Sequence, residues 1–158
     1  MPEDALIPVK LARVVLRKSE AQQWIFLQEV DGERGFPIVI GTHEAEEIDR
    51  VLNNLELPRP LTHQLTLAAV EALEAKLIGV DIVDLRKNTF YARLRLQRPG
   101  SADSTAEVHV DARPSDALAL ALRAGASLRV VESDLEQART DEAPDSLPPP
   151  PPEGDDDE

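Results

Sequence analysis

One segment in the last third of the chain constrains the fold more than any other. Residues 117–122 alternate alanine and leucine, with no polar side chain among them. Pro114 suits the first turn of a helix, and Gly125 suits the residue that ends one. Alanine's strong helix preference favours a helix over a strand for this run. Because such a helix is apolar on every side, we expect the rest of the chain to bury it.

Polar residues crowd the start of this predicted helix. Asp111, Arg113, Ser115 and Asp116 all lie at its junction with a predicted strand. The first backbone N–H groups of a helix have no partners within the helix and attract anions. Two interpretations remain open for this stretch alone: a binding or catalytic site, or side chains that only cap the helix.

The periodicity of apolar residues predicts the other elements and a fold class. Strands are predicted over 9–16, 24–30, 36–40, 80–85, 90–97, 107–112 and 128–131. Helices are predicted over 43–54, 62–76, 114–124 and 133–139, the second with Leu65, Ala69, Ala72 and Leu73 on its inner face. Since strands and helices do not alternate regularly, we expect an α+β protein. It should form a single compact domain with a mixed or antiparallel sheet and three to four helices.

The composition changes after residue 139. The last residues include five consecutive prolines, 148–152, and eight acidic residues without a lysine or arginine. A segment of this kind cannot bury enough apolar surface to fold. We therefore expect one domain over residues 1–139 and a disordered, proline-rich acidic tail over residues 140–158.

The charge balance argues against a broad nucleic-acid-binding surface. The chain carries a net charge of −13, and without the acidic tail 22 acidic residues still face 17 basic ones, a net charge of −5. Nucleic-acid-binding domains usually present a basic face. Any contact with phosphates would therefore depend on a local arginine cluster, and a tail this acidic could compete with phosphates for that cluster.

Other features of the sequence predict the compartment and the state of assembly. The chain has no cysteine, which excludes disulfides and thiolate metal sites. Its first residues do not resemble a signal peptide, and no apolar run reaches membrane-spanning length. We expect a cytoplasmic protein that does not enter a membrane. Few aromatic side chains are present to close the core, so we also expect self-association, with a homodimer as the simplest case.

Three element junctions carry groups suited to phosphodiester chemistry. Glu44 opens one predicted helix, Arg59 and His63 open the next, and Arg113 and Asp116 open the buried one. If the junctions converge, two guanidinium groups would hold a phosphodiester while a carboxylate or imidazole moves a proton. The alternative is that each group serves only as a cap or a turn residue.

A second constellation lies on a predicted strand. Glu107, His109 and Asp111 alternate onto one face, where Asp84 would join them from a neighbouring strand. Carboxylates with water are the ligands that Mg²⁺ or Mn²⁺ requires, so a divalent ion is one expectation for this face. A solvated sheet face is the other interpretation. The chain has neither a glycine-rich phosphate loop nor the serine elbow of a hydrolase.

Four segments together resemble the bifunctional nuclease domain family, and in particular its small stand-alone bacterial members. They are FPIVIGTHEA at 36–45, RPLTH at 59–63, TFYARL at 89–94 and DARPSDALALALR at 111–123. The resemblance follows the same order and spans residues 7–138. It implies a compact, self-associating α+β domain that hydrolyses phosphodiester bonds in RNA and DNA.

The resemblance also implies which positions form a site. Its motifs carry over onto seven residues to which we assign roles. The expected catalytic groups are Glu44, His63, Asp111 and Asp116, and the expected substrate-binding groups are Arg59, Arg113 and Ser115. The alternative function is a non-catalytic binding or oligomeric assembly module in which the polar junctions are structural.

Overall fold

The computed structural model describes residues 5–15, 22–87, 89–100 and 106–140. The predicted acidic tail lies outside the described residues, apart from its first residue, Thr140. No helix among the described residues is both long and apolar enough to cross a membrane.

The described residues form one seven-stranded sheet and four helices, in the order predicted from the sequence. The strands are β1 (Leu6–Val15), β2 (Gln22–Glu29), β3 (Gly35–Gly41), β4 (Lys76–Arg86), β5 (Thr89–Gln97), β6 (Glu107–Ala112) and β7 (Ser127–Val131). The helices are α1 (Thr42–Leu52), α2 (Thr62–Ala72), α3 (Pro114–Ala124) and α4 (Glu132–Ala138). The α+β prediction is confirmed.

Two antiparallel meanders are joined through the last strand. The strand order in the sheet is β3-β2-β1-β7-β4-β5-β6. Every neighbouring pair is antiparallel except β4 and β7, which run parallel. A parallel pair needs a long crossover connection, and here α3 lies within the segment that returns the chain to β7.

The apolar helix predicted from the alanine–leucine run is at the centre of the fold. The side chains of residues 117–121 in α3 are at most 4% exposed. The helix packs between α1 and α2 on one side and the strands β4 and β5 on the other. It ends at Gly125, whose φ of 66° is the left-handed conformation that glycine adopts readily. Burial of Leu118 and of Leu120 contributes about 1.5–3 kcal/mol each to stability.

α2 differs from its prediction in length and in the face that it buries. It ends at Ala72, because Lys76 already begins β4 and pairs with Gln97 of β5. The predicted inner residues Leu65 and Leu73 are 58% and 75% exposed, and Ala69 and Ala72 are exposed as well. The buried residue is Leu67. Apolar residues lie on more than one side of this helix, so periodicity alone does not decide which side the protein covers.

The two faces of the sheet differ in chemistry. The helix-covered face presents apolar residues such as Val80, Ile82, Leu94 and Val130. The opposite face, called here the charged face, is defined at its centre by Asp81 of β4, Arg93 and Arg95 of β5, and Arg129 of β7. This division follows from strand alternation, since neighbouring residues along a strand point to opposite faces.

Candidate functional site

A pocket of about 440 Å³ lies between β3, the start of β5 and the N-terminus of α3. Its walls consist of residues 37–41 of β3, Thr89 and Phe90 of β5, and residues 113–115. Phe36 and Phe90 hold β3 and β5 together, with 5.3 Å between their ring centroids. An edge strand and a helix start therefore face each other across the pocket.

Four ionisable side chains from three helix starts meet beside this pocket, which Arg113 lines, and are called here the junction cluster: Glu44, His63, Arg113 and Asp116. Arg113 Nη2 donates a hydrogen bond to Glu44 Oε1 at 2.7 Å, and Arg113 Nε donates to Asp116 Oδ2 at 3.0 Å. His63 Nε2 lies 2.9 Å from Asp116 Oδ1. The contacts form a continuous chain from the imidazole to Glu44, and they join residues 53 and 69 positions apart in the sequence.

Local sequence places each of these groups. α1 follows β3 without a loop, so Glu44 falls in its first turn. α3 begins with Pro114, which makes Arg113 the N-cap residue and puts Asp116 in the first turn. Acidic side chains in the first turn interact favourably with the positive end of the helix dipole. His63 is the second residue of α2.

Gly41 matters to the position of Glu44. A Cβ atom at residue 41 would lie 2.5 Å from Glu44 Oε2, closer than two such atoms approach in real proteins. The backbone φ of −74° is ordinary, so the reason for glycine here is space and not conformation. The bare backbone lets the Glu44 carboxylate fold back over the end of β3.

The cluster is buried at one end and open at the other. Glu44 is 9% exposed, whereas 70% of the Arg113 side chain is exposed. Burying a carboxylate is costly unless it is paired, and Arg113 supplies that partner. Asp116, and to a lesser degree Glu44, raise the pKa of Arg113 above its ordinary value. The guanidinium therefore stays cationic while most of its surface remains open to a ligand.

Backbone groups add to the positive character of the pocket. The first helical hydrogen bond of α3 runs from the amide of Ala117 to the carbonyl of Arg113, at 3.0 Å. Pro114 has no N–H, and the amides of Ser115 and Asp116 have no hydrogen-bond partner within the described part of the chain. Ser115 is buried and lines the pocket. Two amides and a guanidinium at a helix start form an arrangement that binds anions such as phosphate.

The structure brings together five of the seven residues expected at a site. Glu44, His63, Arg113 and Asp116 form the junction cluster, and Ser115 lines the pocket beside it. The other two do not join them. Asp111 pairs in register with Arg93 on the charged face, because strand alternation turns its side chain away from the helices. Arg59 is exposed between α1 and α2, and no hydrogen bond or ion pair joins it to the cluster in the described ranges.

The sequence did not point to the apolar walls of the pocket. Ile38, Val39 and Phe90 line it, yet a period-two pattern on a strand indicates core packing just as well as a binding surface. The signal that was available is the TFYARL segment of the resemblance, which contains Thr89 and Phe90 but gave them no role.

Two of the possible metal ligands on β6, Glu107 and His109, contact each other, and Glu107 also contacts an arginine. His109 Nε2 lies 3.2 Å from Glu107 Oε2, and Arg95 Nη1 lies 3.5 Å from Glu107 Oε1. Asp84 pairs with Arg86. Among the described residues, no group of three histidine, cysteine, aspartate or glutamate side chains is placed to hold a metal ion. The interpretation of this strand as a solvated sheet face fits these contacts better than a metal site.

Comparison with known proteins agrees with the resemblance seen in the sequence. The family model described as the bifunctional nuclease domain matches residues 25–143. An uncharacterized protein of Mycobacterium tuberculosis is 39% identical over 130 residues, which are 82% of this chain and 74% of the relative. Bifunctional nuclease 1 of Oryza sativa subsp. japonica is 27% identical over 116 residues, which are 73% of this chain and 34% of the plant protein. Because the family model matches well over half of the sequence, this chain belongs to the bifunctional nuclease domain family.

Proposed function

We propose that this protein is a nuclease that hydrolyses phosphodiester bonds in single-stranded or flexible RNA and DNA, at the pocket between β3 and α3. One observation carries the proposal. A cationic, mostly exposed Arg113 is joined through Asp116 to His63, beside two unpartnered helix amides. The arrangement combines a phosphate-binding group with a proton-transfer group.

The first task of such a site is to bind the phosphate and stabilise its charge. Arg113 and the amides of Ser115 and Asp116 are the donors that would face the non-bridging oxygens. Attack on phosphorus increases the negative charge on these oxygens, and fixed donors stabilise that charge without reorganising. Glu44 and Asp116 accept hydrogen bonds from the guanidinium group of Arg113, so its orientation is set before the substrate binds.

The second task is to move protons. In hydrolysis, the oxygen of water bonds to phosphorus and gives up a proton, while the bond to the leaving ester oxygen breaks and that oxygen gains a proton. His63 is the group in the cluster suited to this transfer, because an imidazole gains and loses protons near neutral pH. Its hydrogen bond to Asp116 fixes the ring orientation, as the carboxylate does in catalytic histidine–aspartate pairs. These steps use the chain's own groups.

Cleavage of labelled single-stranded RNA and DNA by the full chain tests the proposal. We expect His63→Ala to lower the cleavage rate by about 10²- to 10⁴-fold, the usual contribution of a general acid or base. Arg113→Ala should lower it by about 10²-fold or more, through loss of a charge-stabilising donor. Parallel reactions with Mg²⁺, Mn²⁺ and chelator measure whether a divalent ion adds to the activity.

Matched variants make the assay decisive. His43→Ala and Arg98→Ala remove the same side-chain types at exposed positions outside the junction cluster, and both should cleave at the rate of the parent protein. Equal cleavage by all variants would show either that another nuclease in the preparation cleaves the substrate or that the active site lies elsewhere. Circular dichroism and thermal melting confirm that each variant is folded.

A non-catalytic binding module is the second candidate. The observation in its favour is that every ionisable side chain of the junction cluster already has an internal partner. Folded parent protein that binds the strands but does not cleave them under any ion condition would support this function instead.

We further propose that the protein acts in the cytoplasm as a homodimer. The absence of cysteine agrees with a reducing compartment. The apolar side chains of Leu61, Leu65 and Leu73 along α2 are 42%, 58% and 75% exposed and form the kind of patch that a second subunit would cover.

A further inference from the structure

The charged face of the sheet holds an arginine cluster that the proposed active site does not use. Asp81 of β4 is fully buried, and Arg93 of β5 and Arg129 of β7 lie directly opposite it on the two neighbouring strands. Arg95 comes from the next position of β5 on the same face. These three arginines, converging on one carboxylate, are called here the sheet-face cluster.

Asp81 fixes two of the guanidinium groups in place. Arg129 donates from Nε to Oδ1 at 2.8 Å and from Nη2 to Oδ2 at 3.0 Å. Arg93 donates from both Nε and Nη2 to Oδ2, each at 3.1 Å. Burial would raise the pKa of Asp81, but the hydrogen bonds and charges of Arg129, Arg95 and Arg93 outweigh it and lower the pKa. The carboxylate therefore stays ionised and keeps both guanidinium planes oriented.

Arg93 and Arg129 each keep hydrogen-bond donors that Asp81 does not use. The Nη1 groups of Arg93 and Arg129 make no hydrogen bond to any described residue, and their side chains are 33% and 28% exposed. A guanidinium group has five N–H donors, so each retains an edge that can meet an anion. Ordering these side chains in advance reduces the entropy that binding would otherwise cost.

Arg95 reaches the cluster because residue 79, over which it passes, is a glycine without a side chain. It crosses over Gly79 to donate from Nη2 to Ser127 Oγ at 3.1 Å. A Cβ atom at residue 79 would lie 2.0 Å from Arg95 Nη2, so only glycine leaves this path open. Lys10 of β1 lies on the same face beyond β7. It is two residues along the strand from Pro8, which pairs with Arg129, so its side chain points to the face that holds Arg129. Basic side chains from β1, β7 and β5 thus lie on this face of an otherwise acidic protein, with Glu107 and Asp111 at the β6 border.

We propose that the sheet-face cluster binds the phosphate backbone of single-stranded nucleic acid, as a second contact surface for the substrate of the proposed nuclease. The identity of the anion rests on that proposed function, while the binding surface rests on the geometry of the cluster. Arginine binds phosphate through two parallel N–H groups, which matches the outward edges of Arg93 and Arg129. A surface of this kind supplies the local cation cluster that the overall charge of −13 does not.

Binding is measured with the full chain and a labelled 20-nucleotide single-stranded RNA in chelator, by fluorescence anisotropy over a range of salt concentrations. We expect Arg93→Gln and Arg129→Gln each to weaken binding by about threefold or more and to reduce the salt slope by about 0.7, the loss of one phosphate contact. Arg98→Gln makes the same charge change at an exposed position after β5 and should change neither quantity. Unchanged affinity and slope in the folded arginine variants would overturn the proposal.

A second measurement does not depend on how the arginine variants fold. Because the chain has no cysteine, a fluorophore can be placed uniquely through His109→Cys on the charged face, where His109 is 44% exposed. The RNA should shift the emission of this label and leave a label placed through Ser133→Cys on α4 unchanged. No shift at His109→Cys would also overturn the proposal.

The same label distinguishes nucleic acid from the chain's own acidic tail. Replacing the eight tail carboxylates by amides should leave the emission of the His109→Cys label unchanged when no RNA is present. A shift under those conditions would mean that the tail occupies the cluster and would overturn the proposal. RNA binding without cleavage would support this inference and contradict the proposed nuclease activity. Cleavage that is undiminished in both arginine variants would support the nuclease activity and contradict this inference.

Discussion

The space above Gly41 is occupied by the carboxylate of Glu44, and this contact gives a sharp prediction at the scale of single residues. Gly41→Ala should displace Glu44 from Arg113 and destabilise the protein by about 1–3 kcal/mol, the usual cost of leaving a buried polar group without its partner. It should also slow cleavage, because Arg113 loses one of the two groups that orient it. Urea unfolding and the cleavage assay measure the two effects.

A double-mutant cycle identifies the cause of that loss. In a Glu44→Ala background, the clash partner is gone, so Gly41→Ala should cost at least about 1 kcal/mol less than it does in the parent protein. An equal cost in both backgrounds would show that the strain comes from the backbone of β3 and not from Glu44.

At the scale of elements, Arg34 ties the turn between β2 and β3 to α4. Its guanidinium contacts Glu29 at 3.0 Å, Glu132 at 2.5 Å and Glu136 at 2.6 Å. Arg34→Gln should destabilise the protein by about 1.5–3 kcal/mol, the usual value of hydrogen bonds to a charged group. Hydrogen exchange should accelerate in residues 132–138, while Glu136→Gln, which removes only the most exposed partner, should have a smaller effect.

The same tie depends on pH in a defined direction. The hydrogen bond from Arg34 lowers the pKa of Glu29 below its ordinary value of 4.5. A carboxylate with a lowered pKa in the folded state contributes fully above its unfolded value and less as the pH falls through its folded value. The stability difference between the parent protein and Arg34→Gln should therefore shrink below about pH 4.5, as urea titrations at several pH values would show. A difference independent of pH would contradict this assignment.

The sequence predicted the parts of the fold that depend on neighbouring residues in the chain better than the parts that depend on tertiary packing. The alanine–leucine run between Pro114 and Gly125 predicts α3 and its burial, because propensity, cap and stop agree. α2 shows the opposite case: its apolar residues surround the helix, so Leu67 rather than Leu65 faces inward only because of where α3 and β4 lie. Boundaries such as the start of β4 at Lys76 depend on cross-strand pairing that the local pattern does not contain.

For the candidate site, too, the local features were predictable and the tertiary contacts were not. The residue types at the three helix starts were visible in the sequence, but Asp111 was expected to join them, whereas strand alternation places it beside Arg93 on the charged face. The contact between His63 and Asp116 was not predictable from spacing, since it depends on how α2 packs against α3. The exposure of Arg113 was likewise not predictable from the motif, because it depends on which parts of the folded protein cover the side chain.

At the scale of the whole molecule, the exposed leucines of α2 predict the state of assembly. Light scattering after size exclusion should give twice the chain mass of 17.4 kDa. Leu65→Glu should give the mass of one chain without loss of helix content, because a charge buried in a subunit interface is costly. Val30→Glu, at a 49% exposed position in the turn after β2, is the matched control and should remain dimeric. A parent protein that stays monomeric at about 100 μM would contradict the proposed homodimer.

The position of β7 has a consequence for how this protein is made. Within the sheet, β1 and β4 are joined only through β7, yet residues 127–131 leave the ribosome after every other strand. Until then, the growing chain holds two separate three-stranded meanders, each with an unpaired edge that can pair with another chain. The helix that covers both meanders, α3, emerges just before β7. Completion of the fold is therefore a late, cooperative event, and the edges of β1 and β4 are the surfaces that a chaperone would protect during synthesis.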